Sequence, residues 1–97
     1  MLSESSSEGA LTLEIGSAFV PEDAVRIHDL IERTEPGTVV QIDLHRVRDC
    51  HDVALALLAR DIVRGRAHVA LRGVSQHQLR VLGYFGVHLD QPAVQDA

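Results

Sequence analysis

Ninety-seven residues, 45% of them apolar, are enough for one domain around one modest core. The chain carries fourteen acidic residues against nine basic ones, all arginine, and a net charge of −5 with only three aromatic side chains does not suit nucleic-acid binding. The longest unbroken apolar run, Val53 to Ala59, is seven residues, short of the roughly twenty that a membrane-spanning helix needs.

Met1 to Glu8 is rich in serine and glutamate and has little apolar surface to offset the entropy of ordering. Residues 1–9 are therefore expected to form a disordered tail, as are residues 90–97. The start also lacks the basic and apolar parts of a secretory signal, and the single cysteine, Cys50, has no internal disulfide partner, so a cytoplasmic protein is expected. Between the tails, residues 10–89 read as one domain. Leu11, Leu13 and Ile15 alternate with Thr12 and Glu14, the period of a half-exposed strand, expected at a sheet edge. Pro21 opens a helix with Glu22 and Asp23 at its electropositive end. Ala24, Ile27, Leu30 and Ile31 form its apolar stripe, and it stops before Pro36-Gly37. Val39 to Leu44 reads as a central strand, Val53 to Arg64 as a helix closed by Gly65, and Ala67 to Leu71 as a further strand. Ser75 and Gln78 have the spacing of a capping box. In the helix they start, Leu79, Leu82 and Phe85 are expected to face the core. The order β-α-β-α-β-α predicts an α/β fold, a small mixed β-sheet packed with α-helices and joined by right-handed crossovers.

Function is expected near Asp49 to Asp52. The polar turn Asp49-Cys50-His51-Asp52 delivers a buried strand onto an apolar helix, where unpaired backbone N–H groups and the positive end of the helix dipole meet. Asp49 suits the N-cap of that helix and Asp52 its first turn. Cys50 beside His51 invites a nucleophile or a metal, but no second cysteine and no His-x-x-x-His pair accompany them. No catalytic residue, metal or cofactor is therefore expected. His28, His45, His68, His77 and His88 share no spacing and read as surface or boundary residues. Val53 to Ala59 leaves no polar face on the first two helical turns, although helices of a small sheet keep one face in water. Val53, Ala56, Leu57 and Arg60 are thus expected to meet a partner protein or a second copy, against a plainer reading with Ala54 and Ala56 outward. Arg60, Arg64 and Arg66 read as a basic rim. Charge is uneven: residues 1–45 hold nine acids and two arginines, residues 46–97 seven arginines and five acids.

These pieces, in this order, resemble the STAS family, the bacterial anti-sigma-factor antagonists and the related cytoplasmic domains of sulfate transporters. The resemblance covers most of residues 11–89. It rests on Gly16 after the first strand, on Ile42-Asp43-Leu44 through Val47 to Asp49, and on Leu71-Arg72-Gly73-Val74-Ser75 followed by Leu79 to Gly86-Val87. It implies a STAS-like fold that commonly begins with a two-stranded hairpin, of which only Leu11 to Ile15 is evident. It also implies a non-enzymatic regulator of transcription that docks a kinase-like anti-sigma factor through Asp49, Cys50, His51, Asp52, Val53, Ala56, Leu57 and Arg60, without nucleic acid or membrane insertion. In that family the turn usually reads Asp-Ser-Ser-Gly, and phosphorylation of a serine by the partner kinase disrupts the contact. Here Asp49 keeps the aspartate, while Cys50, His51 and Asp52 stand in place of Ser-Ser-Gly. No hydroxyl remains in the turn, and Asp52 would supply a permanent negative charge where the family adds phosphate. The alternative role the resemblance implies is an accessory subunit on the ATPase of a membrane transporter.

Overall fold

The computed structural model describes residues 2–65 and 67–87. Side-chain alternation builds its sheet. In β2 (Ala10–Ile15), β4 (Val39–Asp43) and β6 (His68–Arg72) every second side chain is buried. These strands pair in parallel, and their register aligns Leu11, Val40 and Val69 in one row and Leu13, Ile42 and Leu71 in the next. The intervening row, Thr12, Gln41 and Ala70, points to the opposite face because the pleat has a period of two.

Helix α1 (Pro21–Arg33) follows the short β3 (Ala18–Phe19) and leads to β4; α2 (Asp52–Arg64) follows the short β5 (Asp49–Cys50) and leads to β6; α3 (Gln76–Tyr84) comes last. Successive parallel strands step across the sheet in one direction, β2-β4-β6, so crossovers of one hand place α1 and α2 over the same face. Helix α2 lies between α1 and α3 and packs against both. Ile27, Ile31, Leu55, Leu58 and Leu82 fill the space between helices and sheet. The protein is a small α/β fold in which a mixed four-stranded sheet packs with three helices.

Several expectations change. The first concerns residues 1–9, expected to be disordered: Leu2–Ser7 forms β1, antiparallel to β2, from Leu2 opposite Ile15 to Ser7 opposite Ala10. Gly9, with φ of +76°, makes the tight reversal. Only Leu2 is partly buried, so backbone pairing, not side-chain burial, holds this strand in place. With β1 outside it, β2 is an inner strand and not the edge. A polar, glutamate-bearing edge such as β1 discourages pairing with other chains. The two-stranded hairpin implied by the resemblance is thus present.

Second, the polar turn before α2 contains strand: Ala18 and Phe19 pair in parallel with Asp49 and Cys50. The Ser17 carbonyl accepts both the Arg48 and Asp49 N–H groups, at 2.8 and 3.0 Å, and Phe19 O accepts His51 N–H at 3.0 Å. Third, of Leu79, Leu82 and Phe85 only Leu82 is buried in the core: Leu79 is half-buried, Val81 takes the inward position, and Phe85 is 48% exposed. It is the C-cap of α3, with φ −104° and ψ 15°, and leaves the helical register that would have turned it inward. His88 and residues 90–97 lie outside the described residues, as does Arg66.

Candidate protein-docking site

The ladder between β3 and β5 sets where α2 begins. Because Asp49 is committed to β5, the N-cap is His51, in extended conformation with φ −81° and ψ 131°, and not Asp49 as its residue type suggests. No side chain caps the helix; the His51 carbonyl accepts the Leu55 N–H at 3.2 Å. Asp52 is the first helical residue, with its side chain 72% exposed, and the His77 ring approaches it at 4.0 Å. Its carboxylate therefore stands at the electropositive end of α2, facing water.

Cys50 is half-buried. Burial, then the neighbouring charges of Asp52 and Asp49, push its thiol up to about 11, against a partly opposing hydrogen bond with Gln78. Near neutral pH it is a protonated thiol, whereas a nucleophile or metal ligand needs the thiolate. Among the described residues, no three His, Cys, Asp or Glu side chains gather in a way that could hold a metal ion.

The helix divides cleanly. Ala54, Leu55, Leu58, Ala59 and Asp61 are buried, while Val53 is 60% exposed, Ala56 and Leu57 are half-buried and Arg60 is exposed. Ala54 points inward, contrary to the plainer reading of this helix. Asp49 to Val53 line one shallow depression at the helix start. Ala56, Leu57 and Arg60 line a second groove farther along, completed by Val63, Arg64 and Phe85. The two features share one helix but are not one pocket.

Several residues of this surface escaped sequence reasoning. Val63, 55% exposed, extends the outer face of α2 by helical spacing from Arg60, a signal present in the sequence. Phe85 reaches the groove only because α3 ends just before it. Beside Leu57 and Arg60, toward α1, a further groove is lined by Val25, His28 and Asp61. There the His28 ring, through Nδ1, hydrogen-bonds the buried Asp61 carboxylate at 2.7 Å, and its Nε2 lies 3.6 Å from Glu32. The hydrogen bond and charge of Asp61 raise the His28 pKa above 6.5, with Glu32 and Asp29 adding to it.

At the carboxyl end of β4, Asp43 Oδ1 accepts the His45 backbone N–H at 2.9 Å and meets the His45 ring at 2.6 Å. Burial pushes the Asp43 carboxyl up, but these His45 contacts and the nearby Arg72 outweigh it and hold the carboxyl below its usual range. The pair orders the turn that leads from β4 toward β5.

Compared with known proteins, the chain matches no protein-family model and no curated protein sequence. Among the described residues, no helix is long and apolar enough to cross a membrane.

Proposed function

We propose that this chain is a STAS-type protein-binding module of the bacterial cytoplasm, which regulates by contact and carries out no reaction. The observation that carries this reading is the outer face of α2: Val53, 60% exposed, and the half-buried Ala56 and Leu57 lie beside exposed Arg60, immediately after an exposed helix start. Apolar surface that the fold leaves uncovered marks a place for a partner. The partner is a kinase-like anti-sigma factor, met by Asp49 to Val53, Ala56, Leu57 and Arg60. Supporting the family are the order of elements and the hairpin of β1 and β2. The protonated, half-buried Cys50 fits a packing role more readily than a nucleophilic one.

Asp52 gives the site a charge that no phosphatase removes. A phosphoserine adds close to two negative charges at a helix start; an aspartate at the first helical position supplies one permanently. In the family a negative charge here loosens the contact, so an Asp52→Gly variant is expected to bind the kinase-like partner more tightly, and equal or weaker affinity would count against this role.

The test is recovery of the tagged protein from its native cells, with its companions identified by mass spectrometry, alongside a Leu57→Glu variant. A kinase-like anti-sigma factor recovered with the parent chain and lost from the variant supports the reading. A transporter ATPase recovered instead moves the assignment to an accessory subunit, and absence of any companion counts against both.

A further inference from the structure

Along the outer face of α2, Asp52, Ala56, Arg60 and Arg64 form one ridge of residues four apart. Its ends carry opposite charges, acidic at the N-terminus and basic at the C-terminus. Of the two middle residues Ala56 is small and half-buried and Arg60 is large and exposed, so each can seat against the other across a twofold axis, and Val53 and Leu57 form the parallel ridge beside them. Such a face complements itself when inverted. Two copies related by a twofold axis, with their α2 helices antiparallel and these ridges interleaved, bring Asp52 of each chain to Arg64 of the other. Ala56 of each then lies beside Arg60 of the other. The pairing occurs twice by symmetry, opposes the two helix dipoles favourably, and sets Val53 and Leu57 against the partner's apolar strip.

The geometry points to a second copy of this chain as an occupant of the outer α2 face, in a twofold-symmetric antiparallel dimer fastened by reciprocal Asp52–Arg64 ion pairs. Charge complementarity selects this arrangement over its parallel alternative, which would set Arg60 and Arg64 against their own copies. The dimer does not rest on the anti-sigma reading; it uses the same surface, so a docked partner and a second copy exclude each other.

The purified full chain, alone and at low salt, tests it by sedimentation equilibrium. A reversible dimer is expected, with a dissociation constant on the order of 100 μM for so small a contact. Arg64→Glu and Asp52→Arg should each weaken it by on the order of tenfold, since each single change turns two symmetry-related attractions into repulsions. The doubly exchanged chain, Asp52→Arg with Arg64→Glu, should recover the dimer. Because that chain carries the least favourable helix-end charges of all, recovery cannot reflect better folding. If a charge variant folds poorly by circular dichroism, Val53→Lys probes the same contact and must also weaken it. A monomer at all concentrations up to about 500 μM, well above the expected constant, overturns the proposal. So does a dimer indifferent to the single changes, or failure of the exchange to restore it.

Discussion

Gly73 lies directly against the backbone of His45. A Cβ at position 73 would stand 2.5 Å from His45 Cβ, 2.6 Å from its nitrogen and 2.7 Å from its Cα. Gly73 also has φ of +69°, in the left-handed region that L side chains avoid. The obstacle is main chain, which cannot swing aside as a long side chain would. Gly73→Ala should therefore cost about 2–4 kcal/mol, from backbone strain and overpacking together, read as a lower midpoint of urea unfolding. A midpoint within error of the parent would mean that the turn after β4 yields freely.

The pair of His28 and Asp61 joins α1 to α2 and predicts a pH dependence of stability. His28 binds its proton more tightly in the folded state, where its pKa lies above 6.5. Its contribution is therefore fully present below about 6.5 and disappears as the pH rises through the higher folded value. The melting temperature of the parent relative to Asp61→Asn should be highest on the acid side and fall toward pH values above the folded pKa. A difference that is constant across this window would remove His28 as the responsible group.

Ser75 starts α3 with two reciprocal bonds: its hydroxyl accepts the Gln78 N–H at 3.1 Å, and the Gln78 side chain accepts the Ser75 N–H at 2.9 Å. Ser75→Ala should lower stability by about 1 kcal/mol, whereas Ser75→Asp, which keeps an acceptor, should cost much less. Equal losses in the two variants would show that the serine matters for something other than its acceptor.

Cys50 should react slowly. With its thiol near 11 against an ordinary 9.0, the thiolate fraction at neutral pH falls by about a hundredfold, partly offset by the greater nucleophilicity of a more basic thiolate. Alkylation by iodoacetamide at pH 7.5 is expected to run far below the rate for a free cysteine, and Asp52→Asn should raise it modestly. A rate equal to that of free cysteine would contradict the burial and the neighbouring charges together.

Local patterns in the chain determined much of this protein. Leu11, Leu13 and Ile15 declare a strand, and Ala24, Ile27 and Ile31 a helix, through side-chain period alone. Ser75 with Gln78, and Gly65 with its φ of +65°, mark helix ends through interactions spanning a few residues. The outer position of Val53 and Arg60 was legible for the same reason: seven apolar residues cannot all turn inward from one helix, although Leu57 is half-buried and packs against the core. What only the tertiary structure decided are features whose partners lie far along the chain. Leu2–Ser7 has no apolar period and exists as a strand because β2 offers hydrogen bonds. Asp49 is an intrinsically good cap, yet Ser17 and Phe19 draw it into a ladder and pass the cap to His51. Phe85 turns outward because the helix stops one residue before it, and His28 meets Asp61 only because two helices pack side by side. Periodicity reports which face of an element is apolar; hydrogen bonds between distant segments set where elements end and which polar groups meet.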